Sequence, residues 1–132
     1  MLEVEIMIIG ANLEVFHAYL FGSVKYLDLL FVLMIVDIVT GVAKAYKEGK
    51  LRSRTAWFGY ARKLGIFGAI ILANVIDVVL DLKGSVAFVT VLFYIANEGL
   101  SILENLTQLG VKVPSFIKDK LLVIQQEKGD KE

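Results

Sequence analysis

A chain of 132 residues has room for one domain, and at 57% hydrophobic with a mean hydropathy of +0.69 it exceeds the roughly 45–50% apolar share of soluble domains. So small a domain keeps much of its surface exposed, so a soluble fold is excluded and lipid or partner chains must cover the excess. Net charge is zero and cysteine is absent, which excludes disulfides and thiolate metal sites and leaves the distribution of charge as the informative quantity.

Within the N-terminal segment 1–26, residues 1 to 22 carry Glu3, Glu5 and Glu14, lack a basic start and show no convincing small-residue cleavage site, so no cleavable signal is expected. Leu13, Phe16, Leu20, Val24 and Leu27 recur at helical spacing, with Asn12 placed to cap the start. The expectation is an amphipathic helix on the outer interface that does not cross. His17 stands alone and reads as an interfacial residue, not a ligand.

Three apolar stretches follow, Leu29–Ala45, Leu64–Leu80 and Val86–Leu103, each about long enough to cross ~30 Å of hydrocarbon as a helix. They predict a membrane domain over 27–109 with spans at 27–45, 64–81 and 85–105. Each is interrupted. Asp37, Thr40, Gly41, Lys44 and Ala45 share a face of the first span, and Asn74 and Asp77 sit in the second. In the third, Tyr94, Asn97, Ser101, Asn105 and Gln108 form a polar stripe beside Glu98 and Glu104. An acid at a helix centre costs about 2.5–3.5 kcal/mol, which roughly ten apolar residues returning about 0.3–0.6 each barely offset. Polar groups in marginal spans seek other helices, so Asp37, Thr40, Lys44, Asn74, Asp77, Asn97, Glu98, Ser101, Glu104 and Asn105 are expected at an oligomer interface or a water-filled lining. Pairing inside a single three-helix unit is the alternative. Gly41 and the ridge of Gly65, Ala69 and Ala73 suit close helix contact.

The connector 46–63 holds Lys47, Lys50, Arg52, Arg54, Arg62 and Lys63 against Glu48 alone, which predicts a cytoplasmic loop. Beside two spans such a cluster reads as a topology signal or an anionic-lipid contact, not as a nucleic-acid site. The N-terminal segment and the 81–85 connector then lie outside, and Glu104 falls level with Lys44, Arg62 and Lys63, within reach of an ion pair. Trp57, Tyr60, Tyr26 and Tyr46 suit interfacial belts. Gly110 is placed to stop the third span, and Pro114–Ser115 to start a short cytoplasmic helix over 110–132 that ends in the polar tail QQEKGDKE. The fold expected is an all-α membrane protein, N-out and C-in.

No Ser/His/Asp set, phosphate-cradling loop or metal-ligand cluster is present, so no enzyme, cofactor or metal is expected. Over residues 28 to 121 the chain resembles the phage-lysis and toxin-secretion holins. The resemblance rests on VDIVTGVAKAYKEGKLRS, GYARKLG, the Asp77 of ANVIDVVLD and, above all, EGLSILENLTQLGVKVP. It implies a protein that accumulates in the bacterial cytoplasmic membrane, associates with itself and opens lesions through which a muralytic enzyme or toxin passes. Asp37, near mid-bilayer, is the residue expected to switch between helix partners and water. The alternative function is a small oligomeric ion channel or transporter subunit using Asp37 or Glu98.

Overall fold

The computed structural model describes residues 1–51 and 53–130; Arg52 of the basic connector and Lys131 and Glu132 of the polar tail lie outside them. Five helices follow one another: α1 (Leu2–Phe21), α2 (Leu27–Glu48), α3 (Arg54–Leu80), α4 (Ser85–Gln108) and α5 (Ser115–Asp130). No strand occurs among the described residues, so the all-α class holds.

Local chemistry sets the helix limits. α2 stops at Gly49, whose φ of 70° lets the Lys50 amide donate back to the Ala45 carbonyl at 2.8 Å. The Ser53 hydroxyl accepts from the Ala56 amide at 3.2 Å and starts α3 about ten residues before the apolar run begins. α4 ends where the Val111 amide reaches the Leu106 carbonyl at 2.9 Å, and Pro114 follows to keep α5 separate.

α4 is the organising helix. It runs parallel to α2, antiparallel to α3, and carries α5 folded back along it. Leu27, Leu30 and Met34 of α2 meet Ile66 and Ile70 of α3 and Val91 of α4 in the apolar core. The outward sides are apolar too: Phe31, Val32, Leu72, Val75 and Val79 are exposed. That suits lipid, because each backbone group is satisfied within its own helix. α5 packs closely on α4 at Gly99, where a Cβ would lie 2.6 Å from the Leu121 side chain.

α1 departs from a one-sided pattern. It begins at Leu2, so Asn12 lies in mid-helix and does not cap its start, because the ten residues before it continue the helix. At 100° per residue, Glu3, Gly10, Glu14 and His17 line up in one narrow stripe, Glu5 and Asn12 fall on the opposite side, and apolar side chains cover the rest of the circumference. None of its residues is buried. Its 20 residues include an 18-residue window of mean hydropathy 1.4, so it is long and apolar enough to cross, as are α2, α3 from Ala56, and α4, which makes four such helices among the described residues where three spans were expected.

Candidate functional site: a charged clasp inside apolar helices

The polar stripes of three helices meet in one cluster. Lys63 of α3 donates to Asp37 Oδ2 of α2, and to both carboxyl oxygens of Glu98 of α4 at 3.0 and 3.3 Å. Asp37 Oδ1 accepts from Ser101 Oγ at 2.8 Å and from Asn105 Nδ2 at 2.9 Å. Asn105 Nδ2 also reaches Thr40 Oγ1 at 3.0 Å, and Thr40 donates to the Val36 carbonyl at 2.8 Å. Asp37 is 4% exposed and Glu98 5%. Gly41 lies beside this contact, but a Cβ there would meet Asn105 Nδ2 at 3.6 Å, an ordinary van der Waals distance, so the approach of the two helices does not require a glycine.

This geometry follows from register. Asp37, Thr40 and Gly41 are on one face of α2, and Glu98, Ser101 and Asn105 on one face of α4, so two parallel helices present their polar sides to each other. Lys63 closes the cluster from the third side. By helix rise the clasp lies roughly 20 Å from the start of α4 and 15 Å from its end, nearer the basic end of the unit. Two carboxyls share one ammonium, and a cleft of about 820 Å³ opens from the cluster towards Lys44, Lys50 and Arg62. Water and counter-charge therefore have a route to it.

Asn74 and Asp77 serve a different purpose. Asn74 Nδ2 donates to the carbonyls of Tyr19 and Leu20 at 3.2 and 3.0 Å, satisfying the open end of α1. Gly22 (φ 67°) permits this approach, as a Cβ there would lie 2.7 Å from Asn74 Oδ1. Asp77 accepts from the amides of Val86 and Ala87 at 2.9 and 2.8 Å. It thus caps α4 across the turn, where Gly84 at the cap position has no side chain to do so.

The remaining expected residues lie apart from these clusters. Lys44 and Glu104 form an ion pair at 4.0 Å with Glu104 largely exposed. Asn97 is half-buried and makes no hydrogen bond to a described residue. Of the small-residue ridge, Ala73 is buried and Ala69 half-buried, whereas Gly65 is exposed with nothing within 4 Å of a Cβ. Sequence reasoning missed Lys63 as a clasp member. It placed Lys63 beside Glu104 with the loop cations, although Lys63 directly precedes the apolar run and so lies within reach of the span acids. It also missed the capping work of Asp77, whose signal was a glycine at the start of α4 with an acid one helix earlier.

Known proteins resemble this chain over most of its length. The bacteriophage holin family model matches residues 15–126. A probable holin of Bacillus phage phi105 is 59% identical over 91% of this chain and 89% of its own length. The uncharacterised protein YqxH of Bacillus subtilis is 63% identical over 96% and 90%. An uncharacterised protein of Listeria innocua is 36% identical over 86% and 82%. No solved structure matches the chain. The chain thus belongs to the bacteriophage holin family, and that membership, together with its long apolar helices, makes it a non-enzymatic membrane protein.

Proposed function

We propose that this holin assembles with copies of itself in the bacterial cytoplasmic membrane and opens lesions that release a muralytic enzyme or toxin. The observation that carries this reading is the clasp: Asp37, Lys63 and Glu98 hold charge inside helices whose outer sides suit lipid. Such a unit has two outlets for its polar groups, partners within the chain or water, and many copies switching together would open abruptly. In the open state Asp37, Thr40, Glu98, Ser101 and Asn105 would line the lesion, with Lys44, Asn97 and Glu104 between copies. Asn74 and Asp77 would keep their helix ends capped beside it. Expression with a separate cytoplasmic muralytic enzyme should give sudden lysis, and Asp37→Asn should shift its timing. Steady ion leakage with the enzyme retained would overturn the reading in favour of a small channel.

The proposed domain scheme keeps α2, α3 and α4 as the membrane unit, with the 49–53 connector and the segment after α4 inside. α1 on the outer surface would leave the N-terminus out. Its narrow polar stripe favours a second reading, because an interfacial helix needs a broad polar face. On that reading α1 crosses as a fourth span and the N-terminus is cytoplasmic.

A further inference from the structure

We propose that the splayed basic ends of α2 and α3 bind one anionic phospholipid, its phosphate among Lys44, Lys50 and Arg62 and an acyl chain in the groove beside them. α2 and α3 touch each other little, each packing mainly on α4. This leaves two adjoining hollows. The polar cleft of about 820 Å³ has Lys44, Lys50, Arg62, Ser53 and Tyr60 on its walls. The apolar groove of about 550 Å³ is lined by Phe31, Ile35, Trp57, Leu64 and Phe67. Ile38, Tyr60 and Lys63 belong to both, so the hollows form one slot, cationic at one end and apolar along the other.

The charges of the slot are largely uncommitted. Lys63 is neutralised by Asp37 and Glu98. Lys50 and Arg62 have no ion pair with a described residue, and Lys44 meets the exposed Glu104 only at 4.0 Å. Apart from Asp37, Glu48 is the acid on the cleft wall, which leaves an excess of cations. An inorganic phosphate would fill only the cleft and a neutral detergent only the groove; an anionic phospholipid satisfies both. A zwitterionic lipid would bring its own cation against three others. The depth of the site rests on the orientation proposed above, but its chemistry does not.

Trp57, the only tryptophan in the chain, is 68% exposed and lines the groove, so it reports the occupant directly. The full-length protein in phosphatidylcholine vesicles would be titrated with brominated-acyl phosphatidylglycerol or, separately, brominated-acyl phosphatidylcholine. A cation near the membrane surface contributes about a fivefold preference for anionic lipid. Half-maximal quenching by the anionic lipid is therefore expected at a mole fraction at least about fivefold lower. Lys44→Gln/Lys50→Gln/Arg62→Gln should abolish the preference without changing quenching by phosphatidylcholine. Lys112→Gln/Lys118→Gln/Lys120→Gln, outside the slot, should retain it. Equal quenching of the unaltered protein by both lipids overturns the proposal, and needs no variant. So does loss of preference in both triple variants, which would mark general surface charge. A Trp57 quenched by neither lipid would mean that a helix of a second copy fills the groove, and also overturns it. The first two outcomes leave self-association and lesion formation untouched and the third would favour them, so the two proposals fail separately.

Discussion

Lys63 is the residue on which the membrane interior balances. Removing one partner of a buried ionic group costs about 3–5 kcal/mol, because the remaining charges stay buried without compensation. Lys63→Met should therefore lower the unfolding midpoint in detergent steeply. Asp37→Asn/Lys63→Met/Glu98→Gln should recover most of the loss, since it removes both carboxylates with the ammonium. An unchanged midpoint in the single variant would show that the cluster is hydrated through its cleft. Asp77 presents a smaller case. Asp77→Ala removes the cap of α4, worth about 0.5–2 kcal/mol, and should speed hydrogen exchange at the Val86 and Ala87 amides while sparing those near Ser101. Uniform acceleration along α4 would instead mean that Asp77 holds the whole helix in place.

The helices at either end of the chain raise the open questions at the scale of elements. Ser85→Cys should react with an impermeant thiol reagent on intact cells and Ser53→Cys should not, which fixes the proposed course of α3. Leu2→Cys then reports α1. Protection until the membrane is permeabilised is expected if the stripe of Glu3, Gly10, Glu14 and His17 marks a crossing helix, whereas labelling from outside returns it to the surface. At the other end, α5 exposes Lys118, Asp119 and Lys120, side chains suited to headgroups and water, while Leu121 grips Gly99. A Cβ at Gly99 would lie 2.6 Å from one methyl group of Leu121 and 3.0 Å from the other, so a branched side chain enters only if Leu121 moves. Gly99→Val should release α5 and speed proteolysis between Gly110 and Pro114. Unaltered cleavage would show that Leu121 yields by changing rotamer.

Across the whole molecule, most polar groups of the spans are satisfied inside one chain, which limits what is left for association. Asn97 is one exception among the described residues, half-buried on α4 without a hydrogen bond, and an amide in lipid gains by reaching another helix. Asn97→Leu should weaken cross-linked ladders with little loss of fold. Glu98→Leu should instead destabilise the unit, because it takes a carboxylate from Lys63. Equal ladders in Asn97→Leu and the unaltered protein would place the association surface elsewhere, with α1 or Gly65 as the next candidates.

The membrane class, the helical fold and the family motifs were legible in the residues, because apolar length and helical period are local properties that survive without a partner. Gly110 and Pro114–Ser115 marked the turn after α4 for the same reason. The stripes of Asp37 and Thr40, and of Glu98, Ser101 and Asn105, were visible as stripes. What they bind was not, since one periodic polar face fits a neighbouring helix, another copy or water equally well. Only the tertiary structure decided that α2 and α4 oppose these faces, that Lys63 enters from α3, and that Asn74 and Asp77 cap helices they do not belong to. The physical reason is that hydrogen bonds between helices depend on register and crossing in three dimensions, and the clasp residues, 26 to 68 positions apart, carry no local trace of either.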